Sequence, residues 1–233
     1  MPGPEDRILK RVEPLQANGE RVPEYIIRES SLTVLVNGER FATAMLLAGM
    51  EKEYAAGLLC TQGIITEAAD ILSITVSGDT VDVRLAADPE SKPREPVDSG
   101  LAVPYPKVFD CVRAILKSPV FAETEAVHSA GLFLDGKQAV AITEDIGRHH
   151  AFDKAVGKAL LARVDLSRTL AASTGRQPVE MITRCRNAGI PIIATKGVPT
   201  TAAVEIAETS GITIAGLVRG DTMTVYSHPE RII

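Results

Sequence analysis

The chain has 233 residues, of which 45% are hydrophobic and 24% charged, and a net charge of -5. That balance suits a globular chain with a sizeable core, and it excludes a chain-wide positive field of the kind that draws in DNA or RNA, so any anion site has to be built locally. No run approaches the ~18 consecutive apolar residues of a membrane helix, and the start "MPGPEDRILKRVEP" lacks the apolar stretch of a signal peptide; the expectation is a cytoplasmic protein without a membrane or nucleic-acid partner.

In chain order, residues 24 to 36, "EYIIRESSLTVLV", read as extended and pass through "NGE" into "RFATAMLL", the pattern of a hairpin. A helix fits "EKEYAAGLLCTQG", and "ILSITVSGDTVDVRLAA" predicts a second hairpin turning at Gly78 and Asp79. Residues 88 to 107, "DPESKPREPVDSGLAVPYPK", hold five prolines and almost no periodicity, so a mobile connector is expected. The predicted division is a small β-rich lobe with its connector over residues 1–105 and a main domain over 106–233.

The second half alternates. A helix near 107 to 117 precedes the strands "AVHSAGLFL" and "QAVAITE", joined by the tight-turn signal "DGK". Then come helix 149 to 162, strand "TLAAST", helix "PVEMITRCRNAG", strand "IPIIATK", helix "TTAAVEIAETSG" and strand "ITIAGLVRG". Strands alternating with helices of this length predict an α/β fold with a mainly parallel sheet covered on both faces. Ligands of such sheets sit beyond the carboxyl ends of the strands.

The turns at those ends share a composition. "TEDIGRHH", "STGRQP", "TKGVPTT" and "RGDT" each contain a glycine, a cation and a hydroxyl. Glycine lets backbone amides approach a ligand, and a helix start offers unpaired N–H groups and partial positive charge. Arg148, Arg176, Lys196 and Arg219 add full charges, and together the turns predict a cradle for phosphates or another polyanion. Hydroxyls before a helix also serve as plain caps, and Pro178 and Pro199 suit a first turn for steric reasons. His149 and Asp153 are spaced to pair. Glu144 and Asp145 could cap the helix, hold Arg148, or accept hydrogen bonds from a purine. His128 reads as an interior histidine.

These stretches, "HSAGLF", "TEDIGRHHAFDKAVGKAL", "STGR" and "VEMITRCRNAGIPIIATKGVPTTAAVEIAETSGITIAGLVRGDTMTVYSH", closely resemble the FdhD family of formate dehydrogenase accessory proteins; "LTVLVNGERFATAM" and "AAGLLCTQGII" resemble its amino-terminal lobe more loosely. The resemblance implies a cytidine-deaminase-like α/β/α main domain with a smaller β-rich N-terminal lobe, and a homodimer. It also implies a sulfur carrier, which takes persulfide sulfur from a cysteine desulfurase and passes it to the molybdenum cofactor of formate dehydrogenase. That cofactor, bis(molybdopterin guanine dinucleotide), is a multiply phosphorylated anion that a GDP-like nucleotide would mimic. The family's cofactor-contact segment matches Leu217, Val218, Arg219, Gly220, Asp221 and Thr222. Ser173, Thr174, Gly175 and Arg176 fall in the matching strand-to-helix loop, and Arg148, His149 and Lys196 complete the candidate cofactor-binding set.

One departure stands out. The family's transfer chemistry belongs to a Cys-x-x-Cys pair in the connector, because a thiolate has to attack the donor persulfide. Here that region reads "VDSGLAVPY", and the cysteines are Cys60, Cys111 and Cys185, each among apolar residues. No catalytic residue is therefore assigned. Nor is zinc expected, since a zinc deaminase needs His-x-Glu and Pro-Cys-x-x-Cys where this chain has His128-Ser129-Ala130. Three readings follow: a sulfur carrier, a non-catalytic binder that delivers the guanine dinucleotide cofactor to a molybdoenzyme, or a nucleotide hydrolase or transferase using His128, His149 or Asp153.

Overall fold

A computed structural model describes residues 8–89 and 94–233. The N-terminal half contributes β1 (Leu9–Val12) and β2 (Glu24–Ile27), which pair as a two-stranded ribbon. Next come β3 (Glu29–Val36), β4 (Glu39–Leu47), helix α1 (Glu51–Thr61), β5 (Ile71–Ser77) and β6 (Thr80–Leu85). The extended stretch predicted over 24 to 36 is thus broken at Arg28 into two strands that join different sheets. The predicted hairpins form: Asn37 and Gly38 have φ 53° and 86°, the left-handed pair of a type I′ turn whose twist matches the strands. The four-stranded sheet runs β4-β3-β6-β5, with β3 and β6 parallel.

The second half gives α2 (Tyr105–Ile115), α3 (Pro119–Thr124), β7 (His128–Leu134), β8 (Gln138–Asp145), α4 (Arg148–Leu161), β9 (Thr169–Ser173), α5 (Val179–Ala188), β10 (Ile192–Thr195), α6 (Thr201–Ser210), β11 (Thr213–Arg219) and β12 (Thr222–Ser227). Its sheet is ordered β12-β11-β10-β9-β7-β8. The expectation of a mainly parallel sheet needs correction, because only β9–β10 and β10–β11 pair in parallel. The β7–β8 hairpin sits so that β7 lies antiparallel to both β8 and β9, and β12 returns antiparallel along β11. Since β8 and β9 then run the same way, the carboxyl ends of β8, β9, β10 and β11 share one edge, joined there by the start of β7.

The central strands are buried on both faces. Ala171, Ile193 and Ile214 point into one core with Met181, Ile182 and Cys185 of α5 and Ala203 and Ala207 of α6; Leu170, Ala172, Ile192, Ala194 and Ala215 point into the other, against Val108, Phe109, Val112 and Ile115 of α2. This period-two alternation with no polar face is what helices on both sides of a sheet require. The first core continues through α4 and α1 to Val34, Val81 and Val83 of the small sheet. Tyr54 through Thr61 are all buried, so α1 is enclosed on every side.

α1 and α4 touch backbone to backbone. A Cβ on Gly57 would lie 1.7 Å from the Asp153 carbonyl oxygen, and one on Gly157 would lie 1.8 Å from that of Glu53, so only glycine permits this approach. Two buried acids tie the α4 region to its neighbours, Asp153 across the crossing and Asp145 to the end of β4. Asp153 accepts from Thr61 Oγ1 at 2.7 Å and Arg184 Nε at 3.1 Å. Asp145 pairs with Lys154 Nζ at 2.7 Å and accepts from Leu47 N at 3.2 Å, while Lys154 Nζ also donates to the Leu47 carbonyl.

The connector differs from its expectation. Residues 90–93 lie outside the described residues, but from Arg94 onward the chain is pinned. Val97 N donates to Ser210 O at 2.8 Å, Ser99 Oγ to Ser167 O at 2.7 Å, and Val103 bridges to Ile232. Irregular backbone survives against the body because its polar groups find partners there.

Candidate functional site

The four cationic turns meet at the carboxyl edge of the six-stranded sheet. Arg148, first residue of α4, lays its stem across the β9 turn, where a Cβ on Gly175 would lie 2.7 Å from Arg148 Cδ. The β9 and β10 turns then pair with each other: Gln177 N donates to Val198 O at 3.0 Å and Thr200 N to Gln177 O at 3.1 Å. Leu217 N donates to Gly197 O at 2.8 Å, and Arg219 Nε to Lys196 O at 3.3 Å. The result is an unbroken rim from β8 to β11.

Each candidate residue has a definite place. Ser173 is buried and its Oγ accepts from Gly175 N at 3.3 Å. Thr174 Oγ1 accepts from Ser129 N at 3.1 Å and lies 3.2 Å from His128 Nδ1. Arg176, Lys196, Arg219, Gly220, Asp221 and Thr222 are exposed. Leu217 has φ 53° beside a register shift in the β11–β12 pair; a β-branch-free but non-glycine residue in that region is uncommon and marks a bulge that re-aims its neighbours. Val218 thereby turns into the core while Arg219 faces the rim.

The expected cradle of open amides is corrected by this geometry. Besides Gly175, the amides of Thr174, Lys196 and Gly197 donate within the protein, to Ser129 O, Ser173 O and Thr195 Oγ1. Thr195 and Gln177 also clip the loops, donating to Gly175 O at 2.6 and 2.9 Å. Both lie within the quoted turns, yet a sequence does not distinguish a hydroxyl that faces a ligand from one that fastens a loop. What the rim offers an anion is side-chain charge, together with the start of α4, where Gly147 is the N-cap, no side chain caps the helix and the first turn holds no acid.

Around that helix start, Glu144 Oε1, Arg148 Nε and His149 Nε2 are buried without a hydrogen-bond partner. Such atoms are uncommon in a settled core and suit a binding edge. Burial, then the charges of Arg184 and Arg148, hold the His149 imidazole down to a pKa of about 4. Burial and Arg148 lower His128 as well, and burial raises Glu144. The predicted His149–Asp153 pair does not form, because Asp153 turns to Thr61 and Arg184. Asp145 neither caps α4 by its first-turn amides nor holds Arg148; its carboxylate serves Lys154, His150 and the backbone of Leu47 and Gly147. His128 is only half-buried and belongs to the rim.

The cysteines lie elsewhere. Cys60, Cys111 and Cys185 are free and buried. Burial pushes the thiols of Cys60 and Cys111 up to about 12 and raises Cys185 further. Among the described residues no group of three or more His, Cys, Asp or Glu is placed to hold a metal ion, and no helix is long and apolar enough to cross a membrane.

The fold and edge define an α/β protein with a smaller β-sheet and a row of cationic side chains at the carboxyl edge of its larger sheet. The chain belongs to the FdhD/NarQ family, whose model matches residues 27–100 and 88–233. It is 33% identical to the sulfur carrier protein FdhD of Sulfurisphaera tokodaii, over 84% of this chain and 85% of that protein. Identity to the protein of the same name from Anaeromyxobacter dehalogenans is 32%, over 92% and 91%. A crystal structure from Desulfotalea psychrophila, described as that of a formate dehydrogenase accessory protein, superposes with a TM-score of 0.86 at 28% identity, covering 97% of this chain and 99% of that one.

Proposed function

We propose that this chain is a formate dehydrogenase accessory protein that holds the molybdenum cofactor, as the bis(molybdopterin guanine dinucleotide), at its cationic rim, without using a thiol of its own. The cofactor is cargo: it brings the pyrophosphates and the molybdenum chemistry, and the chain supplies charge and orientation. Arg148, Arg176, Lys196 and Arg219 would hold the phosphates, with the bare start of α4 and His149 beside them. The fit rests on side chains already present at one edge, including buried Arg148 Nε and His149 Nε2 that lack partners.

The single observation that favours delivery over sulfur carriage is the state of the thiols. A thiol with a pKa of about 12 is ionised at pH 7 only to on the order of one part in 10^5, and all three are sealed in the core. Position points the same way. Ser99, in the connector stretch where the family carries its cysteine pair, is bonded to Ser167 just before β9, whereas the rim follows the end of β9; a strand of this length spans ~17 Å. On this reading the working form is the homodimer implied by the family, with formate dehydrogenase as client and a cysteine desulfurase acting without a persulfide on this chain.

Two measurements test it. Calorimetric titration with GDP is expected to give saturable binding. Incubation with a cysteine desulfurase and sulfur-labelled cysteine is expected to leave the chain without reductant-labile label. Stoichiometric label on Cys111 would restore the sulfur-carrier reading, and a flat GDP titration would remove the rim.

A further inference from the structure

The edge of the six-stranded sheet opposite the rim carries a cavity of about 750 Å³. It lies at the amino ends of the strands, for Ser167 stands just before β9, and Ala188 and Gly189 before β10. The connector lines it from Arg94 to Asp98, and the buried Ile65, Leu85 and Val97 give it apolar surface. Among the described residues its charges are four carboxylates, Asp70, Asp88, Glu95 and Asp98, against two guanidiniums, Arg94 and Arg186. Two of these six groups are already committed. Asp70 Oδ2 accepts from Thr66 N at 2.7 Å and Glu67 N at 3.1 Å, and Arg94 Nη2 donates to Ile65 O at 3.1 Å. Arg186 stands apart, with its Nε buried and without a hydrogen-bond partner. A second cavity of about 420 Å³ is lined in part by the same Thr66, Ser167, Ala188 and Gly189, so the two form one elongated groove.

We propose that this groove docks the carboxyl-terminal tail of a partner protein, one with lysine or arginine among its last few residues: Arg186 takes the terminal carboxylate, and Asp88, Glu95 and Asp98 take the basic side chains. The groove lies at the other edge of the sheet from the rim and does not depend on it. Shape selects a chain. A volume within the ~300–1,000 Å³ of sites for whole drug-sized ligands holds a stretch of a few residues, and the continuing second cavity suits extended backbone better than a compact molecule. Charge selects the side chains. Three exposed carboxylates and the carbonyl end of α5, which Gly189 caps in the left-handed region at φ 72°, attract cations and repel phosphates. Arg186 selects the end of the chain. A guanidinium fork matches a carboxylate with two parallel hydrogen bonds, and a buried donor without a partner is uncommon in a settled fold. A metal ion does not meet these demands, since no group of three or more His, Cys, Asp or Glu among the described residues is placed to hold one. Residues 231–233 of a second copy do not supply the tail either, because they are tied to the connector: Val103 N donates to Arg231 O at 2.9 Å and Ile233 N to Val103 O at 3.1 Å.

The test titrates the full chain with two synthetic peptides, Gly-Leu-Lys-Lys-Leu with a free carboxyl end and the same sequence amidated. Wild type is expected to bind the free acid saturably and the amide about tenfold more weakly, the loss that follows when hydrogen bonds between charged partners go. Arg186→Gln is expected to abolish that difference, with thermal melting as its fold control. The double variant Glu95→Gln, Asp98→Asn changes exposed positions only, so it keeps the test decisive even if Arg186→Gln does not fold. It is expected to weaken both peptides about fivefold, from two solvent-exposed charge contacts. Equal binding of acid and amide by the wild type would overturn the proposal, as would a free acid that fails to bind. Displacement of the peptide by GDP, or affinities untouched in the double variant, would put the peptide elsewhere and overturn it too.

Discussion

Replacing Gly57 by alanine sets two physical effects against each other at the α1–α4 crossing. Alanine is the better helix former by about 1 kcal/mol, so an exposed helix would gain. Here the new Cβ would stand 1.7 Å from the Asp153 carbonyl oxygen, 2.6 Å from its carbon and 2.8 Å from Gly157 N. These are backbone atoms that no rotamer change can move aside, so the two helices must part by about 1.3 Å or more before contact distances become tolerable. Overpacking of this kind costs about 1–3 kcal/mol. The same movement stretches the 2.7 Å bond from Thr61 to Asp153, leaving a buried carboxylate short of a donor at a further cost of about 1–3 kcal/mol. After the propensity gain, a net loss of about 1–5 kcal/mol remains, which for a chain of this size lowers Tm by about 2–20 °C. Calorimetric melts of wild type and Gly57→Ala measure it. An unchanged or raised Tm would mean that the helices are not locked at this distance, and the account of the crossing would be wrong.

At the rim, Arg176→Ala and Arg219→Ala are each expected to weaken GDP binding by about 1.5–3 kcal/mol, the range for hydrogen bonds to a charged partner; identical titration curves for both variants would dismiss the charges as bystanders. For Asp145, burial by itself would raise the carboxyl, but the His150 hydrogen bond and the Lys154 charge hold it below the ordinary range. Its stabilisation is therefore present above the unfolded value near pH 4 and is lost as pH falls through the lower folded value. Asp145→Asn leaves Lys154 buried and uncompensated and should cost about 3–5 kcal/mol at pH 7, with the difference from wild type shrinking in acid; a chemical-denaturation series across pH shows whether it does. His149 has the opposite charge type: its folded pKa of about 4 lies below the ordinary value, so the unfolded chain takes up the proton first and stability falls as pH drops from ~6.5 toward 4. His149→Gln is expected to flatten the Tm profile over that window, and a profile as steep as wild type would assign the slope to other groups.

How much of this was legible in the residues varied with the physics involved. Ala171, Ile193 and Ile214 lie in strands that read correctly because burial on both faces leaves near-continuous apolar runs, and Asn37-Gly38 and Asp135-Gly136 announced their hairpins through the left-handed backbone such turns need. β12 was missed: "TMTVYS" alternates exposed and half-buried positions along a sheet edge, a pattern weaker than that of a central strand. The antiparallel seat of β7 beside β9 was out of reach for another reason, since strand order depends on which neighbour an inserted hairpin meets. The rim's charges were visible as residue types, because Arg176, Lys196 and Arg219 stand next to glycines in the sequence. Which amides they accompany was not, because Thr195 and Gln177 fasten the loops through contacts that only folding creates.

The buried knot of Asp145, Lys154 and the Leu47 backbone has a mechanical meaning. Leu47 ends a strand of the small sheet, and Asp145 stands three residues ahead of Arg148, so the last rung of one sheet is bolted to the doorstep of the other. Sliding the small sheet would expose two opposite charges that have no water to turn to. The start of α4, with the Arg148 stem that lies over Gly175, is therefore fastened to the margin of the small sheet, and the two sheets shift together or not at all.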